Sequence, residues 1–563
     1  MIFSKTKIWL IISLVVITIF FRFVNLTAND LSSDDALYSF RALGWFDYLG
    51  WGQTTPIQWF NRIPGWANLS FHDGPPLVFA IQYLFFNVLG PNTLAARLPF
   101  ALAGIGVIIL VYFLLKKYKK DENLALLAGF LLAISSYGAW IGRIGYLEGV
   151  EVFFIILTVF FFYKYLVNGS KRNLWFWGVA AGLALLAKYT AVFLVPAAIL
   201  YLLIWRRPVF KKKEFWVGVV LFLIVLLPII IYNAKVFQYR GHFDAALSSM
   251  VGMHPEDFKA ISGRGVNFNI WQNTASVWNA LAQTTSSPLA ILIVVALIYL
   301  LVKILRKRGD KLEKFLAVNL LLIILMFLFS GTGPRLFSIA FPILMIILAI
   351  AIIDLFRLIG RQKPVLAKPL VIILILIFGG EIFYNFNTNI AGKPVGKPPL
   401  FYSGSRLYSY GFNQLDDYLK KNILTDLPAP KRPKLTEMGW SLSELEGKDL
   451  IFFDETISWF ALSWYFQKYQ FYYNAPLISF YNYLSLIPKG GGALDLLRQN
   501  RLKGFYYIYA ADDSVLDPVK ERIPVMMENM KILADEFEKA GLAPKEIKNR
   551  QGKTAFKIYY FKF

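Results

Sequence analysis

The chain is 563 residues long, 57% hydrophobic and 17% aromatic, with a mean hydropathy of +0.51. That apolarity excludes an ordinary soluble enzyme and places the chain among polytopic membrane proteins. The formal charge of +23 sits in short Lys/Arg clusters between apolar runs, so it reads as membrane topology and no nucleic-acid partner is expected. With no cysteine, disulfides, thiol catalysis and cysteine metal sites are excluded, and three histidines (His72, His242, His254) leave no His-rich centre.

In chain order, the N-terminus reads Met1 to Lys7 and then an apolar run with no small-residue cleavage site, which predicts a retained helix. Apolar segments of bilayer-crossing character fall at about 8–24, 94–115, 123–141, 149–167, 174–188, 190–205, 215–233, 287–305, 314–330, 336–356 and 366–384. The fifth and sixth are short and read as a tight hairpin. A further apolar stretch, Pro76 to Gly90, is about 15 residues long and reads as an interfacial helix. Basic clusters at Lys5/Lys7, Lys116–Lys120, Lys171-Arg172, Arg206–Lys213, Lys303–Lys314 and Arg357–Lys368 then share one side if about eleven spans are present. The positive-inside rule makes that side the cytoplasm. The expected protein is therefore mainly α, embedded in the plasma (cytoplasmic) membrane with a cytoplasmic N-terminus. Its parts are a membrane domain over 1–384 carrying a first outer loop at 25–93, a Pro/Gly/Lys linker at 385–399, and an extracytoplasmic α/β domain at 400–563. Strand-like runs at Asp449–Asp454, Gly504–Ala510 and Ala555–Phe563, with a helical pattern from about Ser514 to Ala540, support the last of these. No phosphate loop, nucleophile elbow or dinucleotide motif occurs there.

Charged residues at the outer side of this topology carry the candidate chemistry. Asp34 and Asp35 follow the first apolar segment; an acidic helix N-cap explains them without chemistry, whereas carboxylates beside a membrane are usually paired or kept for work. Arg143 and Glu148 flank the gap between two spans and could equally form an interfacial salt bridge. Lys188 stands at the tip of the short hairpin with no acid near it in sequence, and Arg335 opens the tenth span. Both face outward against the charge bias; a cation so placed calls for an anion, although a snorkelling anchor accounts for Arg335 equally well. His72 and Asp73 precede Gly74-Pro75-Pro76, where a turn accounts for the pattern as well as a binding role does. Cations and carboxylates on one membrane face suit a reaction with a phosphate leaving group. A phosphate departs as a stable anion and needs cations to receive it. A hydroxyl acceptor needs one carboxylate to take its proton. A glycosidase would need a proton donor besides.

At this point the chain resembles the GT-C glycosyltransferases, in the branch of protein O-mannosyltransferases and lipid A aminoarabinose transferases (glycosyltransferase family 39-like). The resemblance covers about 8–384 and rests on the Asp34-Asp35 pair, His72 to Pro76, Arg97-Leu98-Pro99, Arg143 with Glu148, the run Gly182 to Tyr189, and Pro334-Arg335. Two departures are Asp35, where the family often has Glu, and Gly74, where the aminoarabinose branch has Lys. The resemblance implies an inverting transfer of a sugar from a polyprenyl-phosphate-linked donor to a hydroxyl acceptor on the extracytoplasmic face. It makes Asp34 the catalytic base and Arg143, Lys188 and Arg335 the donor-phosphate ligands. Asp35, Glu148, His72 and Asp73 become acceptor- or metal-organising residues. Either no cofactor is required or a divalent cation (Mg, Mn or Zn) is held by Glu148 and Asp34. The alternative is a lipid-linked sugar flippase or other transporter, against which stands the lack of an internal repeat.

Overall fold

The computed structural model describes residues 5–44, 74–256, 269–362, 364–393, 395, 409–430, 440–487, 491–516 and 523–563. Its contacts divide the chain into two units. His72 and Asp73 lie outside the described residues.

The first unit is helical. In chain order its helices are α1 (Lys5–Phe23), then, after a segment that belongs to the second unit (α2, Asp34–Gly44), α3 (Leu77–Leu89), α4 (Thr93–Phe113), α5 (Glu122–Ile134), α6 (Ser136–Ile141), α7 (Leu147–Asn168), α8 (Arg172–Ala187), α9 (Leu194–Trp205), α10 (Lys213–Arg240), α11 (Ala245–Met250), α12 (Ile270–Thr284), α13 (Ser287–Leu305), α14 (Lys311–Ser330), α15 (Phe341–Gln362) and α16 (Ala367–Asn385). Among the described residues, seven helical stretches are long and apolar enough to cross a membrane: Thr93–Tyr118, Leu147–Asn168, Lys213–Gln238, Ser287–Leu305, Lys311–Ser330, Phe341–Gln362 and Ala367–Ile390. Of the other four expected segments, 8–24 is the 19-residue α1, and the remaining three are helical but shorter or broken. The expected interfacial stretch is α3, 13 residues long.

One break shows how the unit keeps its backbone satisfied. The expected span 123–141 is interrupted at Ser135, whose extended backbone ends α5 and whose hydroxyl caps α6 through the Gly138 N–H. The groups this exposes find partners on one stripe of α16 and its continuation. Glu381 Oε1 accepts the Ser136 N–H at 3.4 Å, Asn385 Nδ2 donates to the Ile134 carbonyl at 2.8 Å, and Asn389 Nδ2 donates to the Ser136 carbonyl at 2.9 Å. In an apolar layer a broken helix is tolerated only where neighbours supply such bonds. Helix α8 runs against α7 and α10. Gly178 of α8 packs so closely on the Gly218 backbone of α10 that no Cβ fits between them. This close approach fixes where the C-terminal end of α8 delivers Lys188.

The second unit holds a five-stranded sheet of order β2-β1-β3-β5-β4, with β1 (Asp449–Phe453), β2 (Leu477–Ser479), β3 (Gly504–Ala510), β4 (Lys545–Lys548) and β5 (Thr554–Lys562). β1 runs parallel to β2 and β3, while β5 is antiparallel to both β3 and β4. Phe452, Ile478, Leu497, Tyr507, Met530 and Tyr559 are central to its core. The helices α17 (Phe412–Asn422) and α18 (Ile523–Lys539) belong to this unit. The three strands expected from sequence are present, and the long helical pattern is realised as α18. The described part of Thr27–Tyr48 also groups here and not with the helices that flank it in sequence. Its anchor is Asp30. One carboxylate oxygen accepts the N–H groups of Tyr410, Gly411 and Phe412 at 2.6, 3.1 and 3.2 Å, and the other accepts that of Asn413 at 2.9 Å. These are the orphan donors of the first turn of α17, whose own N-cap position, Gly411, has no side chain to serve them. The Leu31 N–H bonds the Tyr465 hydroxyl, and the Tyr472 hydroxyl donates to the Phe40 carbonyl.

Candidate active site

In the first unit three of the sequence-predicted residues meet. Glu148, 1% exposed, sits in the first turn of α7. Its Oε1 receives Lys188 Nζ at 2.7 Å and Arg335 Nε at 3.0 Å, and its Oε2 receives an Arg335 terminal nitrogen at 3.1 Å. The side chains of Lys188 and Arg335 remain 24% and 26% exposed. The carboxylate is thus sequestered and the two cations are not. Counted together, the three groups carry one net positive charge.

Each is set by local structure. Lys188 ends α8 in an extended conformation before a 3-10 turn, Tyr189–Phe193. Arg335 follows the Gly331 end of α14, where a positive φ of 69° suits glycine. That corner is braced by α12: Asn273 donates to the Leu328 carbonyl at 2.8 Å, and the Thr332 N–H bonds Ser276 Oγ at 3.0 Å. The Tyr137 hydroxyl donates to the Pro334 carbonyl, and the Arg335 guanidinium lies 4.1 Å from the centre of the Tyr146 ring.

The turn after α8 shows what the sequence reading missed. Three consecutive residues each engage a different carboxylate: Lys188 bonds Glu148, Tyr189 donates to Asp244 at 2.6 Å, and Thr190 donates to Glu151. Glu151 is fully buried one turn beyond Glu148, and its second oxygen has no hydrogen-bond partner among the described residues. The i, i+3 spacing of Glu148 and Glu151 was the available signal. Asp244 had none, because its partner lies 55 residues away.

Arg143 engages the backbone of α1. It is buried, and its guanidinium donates to the Phe21 carbonyl at 3.1 Å, at the C-terminal end of α1. Arg22 likewise donates to the Leu132 and Ala133 carbonyls of α5, and Arg97 to the Leu26 carbonyl. Cations at helix C-termini complement the helix dipole. Asp34 and Asp35 belong to the second unit. They form the first turn of α2, where Asp35 is buried and accepts the Ser33 and Ala36 N–H groups, and Asp34 is half-buried. Both oxygens of Glu148 face cations at hydrogen-bond distance, so this carboxylate as arranged does not fit a divalent metal ion.

ArnT from Cupriavidus metallidurans aligns over 99% of this chain and 98% of its own, at a TM-score of 0.55 and 12% identity in the apo state. The chain has the GT-C glycosyltransferase fold. The structure of ArnT bound to undecaprenyl phosphate aligns equally well, at 11% identity. Within this GT-C chain, residues 73–232 match the family described as dolichyl-phosphate-mannose-protein mannosyltransferase, a stretch that holds Arg143, Glu148 and Lys188 but not Arg335. A protein of Aquifex aeolicus (strain VF5) is 30% identical over 146 residues, 26% of this chain and 29% of its own length. The "Putative mannosyltransferase YkcB" of Bacillus subtilis (strain 168) is 28% identical over 146 residues, 25% of this chain and 20% of its own. The chain therefore spans under a third of the length of these curated relatives.

Proposed function

We propose that this GT-C protein is an inverting glycosyltransferase that moves a sugar from a polyprenyl-phosphate donor to a hydroxyl acceptor on the extracytoplasmic side of the plasma membrane. The observation that carries the reading is the pair of partly exposed cations, Lys188 and Arg335, held by a buried Glu148 with one positive charge in excess. A buried carboxylate bonded to two cations fixes their direction, and the positive charge left in excess suits an anion. The phosphate bound in the ArnT structure supports the same ligand class here.

In the reaction the acceptor oxygen attacks the anomeric carbon as its proton passes to a carboxylate, the role that the family resemblance gives to Asp34. The bond from that carbon to the phosphate oxygen breaks, and its electron pair leaves on the phosphate. A single displacement inverts the anomeric centre. Lys188 and Arg335 stabilise the negative charge gathering on the leaving group, so no general acid is needed. Arg143 is the third cation that this reading assigns to the donor phosphate. No step is routed through a metal.

The test is transfer by the purified full chain with a panel of radiolabelled polyprenyl-phosphate sugars and membrane acceptors, with and without chelator. Label leaving the lipid supports the reading, and chelator sensitivity decides the metal. No transfer from any donor, with lipid translocation in vesicles instead, overturns it.

A further inference from the structure

We propose that Asp244, on the segment between α10 and α11, is a positioning residue for the phosphate-binding lysine and acts on Lys188 through Tyr189. The inference rests on the function proposed above. Asp244 is fully buried and held from several sides. Its Oδ2 accepts the Tyr189 hydroxyl at 2.6 Å and Asn233 Nδ2 at 2.8 Å. Its Oδ1 accepts the Leu247 N–H at 2.8 Å, and its own N–H donates to Asn233 Oδ1 at 2.9 Å. Asn233 lies on α10 and also reaches the Tyr189 hydroxyl at 3.1 Å.

Lysine needs such help. Its ammonium rides on a four-carbon stem with many rotamers, so where it points depends on how firmly its backbone is fixed. Lys188 sits just where α8 has ended, and its neighbours must hold the turn. With bonds only to Glu148 and Glu151, both on α7, the turn would be fastened along one line and free to roll about it. Tyr189 adds a third point on a different element, α10 with its following segment. Because the backbone is extended at Lys188 and tight afterwards, successive side chains diverge, and each reaches its own partner. Removing the Tyr189–Asp244 bond should leave the fold in place and let Lys188 swing, and small misplacements of a binding group cost heavily.

The experiment measures binding of undecaprenyl phosphate to the purified full chain in nanodiscs for wild type, Asp244→Asn, Tyr189→Phe, their double variant, Lys188→Met, and Asp244→Asn with Lys188→Met, with thermal melting in parallel. Asp244→Asn and Tyr189→Phe should each weaken binding about tenfold, and the double variant about tenfold, not a hundredfold, because both break one bond. In the Lys188→Met background Asp244→Asn should change nothing further. A merely structural role would not give that last result. Wild-type affinity in both single variants, or a multiplied loss on top of Lys188→Met, overturns the inference while the proposed function stands. If Asp244→Asn does not fold, Tyr189→Phe, which removes one hydroxyl, carries the test alone. Absence of binding in the wild type overturns both readings.

Discussion

Two buried carboxylates, Glu148 in the helical unit and Asp30 in the sheet-bearing unit, are satisfied in opposite ways. Asp30 accepts four backbone N–H groups at the start of α17. Those donors are fixed by the helix and cannot leave, so the carboxylate works as a rivet. Glu148 accepts two side-chain cations that are each about one-quarter exposed. Those donors can turn toward a second anion, so the carboxylate works as a handle. The contrast separates a structural acid from a functional one where burial alone does not, since both are nearly inaccessible.

The comparison can be sharpened by substitution. The largest effect is expected at the proposed base: Asp34→Asn should lower turnover by about a thousandfold or more with the melting profile unchanged. Next come the cations, where Lys188→Met and Arg335→Met should each reduce transfer by about a hundred- to a thousandfold. Their double variant should lose phosphate binding in a direct titration with undecaprenyl phosphate. At the rivet the loss should appear in stability: Asp30→Ala strands four N–H donors, two of them buried, and should destabilise the second unit by about 3 kcal/mol. Hydrogen exchange at Tyr410 to Asn413 would report it, and unaltered protection there would contradict the assignment.

The smallest effect concerns a third buried group, Lys468. It lies 3.5 Å from Asp416 and packs on the Trp464 and Tyr469 rings. Burial pushes its ammonium down to about 8, against the attraction of Asp416. The folded state therefore binds fewer protons than the unfolded state between about pH 8 and the ordinary lysine value of about 10.4, so stability rises with pH in that window. The slope should be about 1 kcal/mol per pH unit from pH 8 to 9.5. Denaturant titrations that follow this unit should show it, and Lys468→Met should flatten it.

Much of this was legible in the sequence because it is written in local terms. Apolar runs of bilayer length mark the helices, and basic clusters order them. Lys188 and Arg335, read as cations that call for an anion, both meet Glu148, 40 and 187 residues away. What could not be read depends on pairings across long separations. Asp30 carries no local sign of its role, because the first of its donors lies 380 residues on. Glu151 and Thr190 pair across 39 residues. β2 has three residues and β4 four, too few for an alternating pattern to register. The break at Ser135 was hidden because the polar stripe on α16 that supports it lies in a distant span.

The most direct test of the central claim is release of radiolabelled sugar from a polyprenyl-phosphate donor by the purified protein, beside the Lys188→Met, Arg335→Met double variant. Transfer in the wild type and its loss in the double variant, with folding intact, is the predicted result. Equal transfer in both would contradict the assignment of these cations to the donor phosphate.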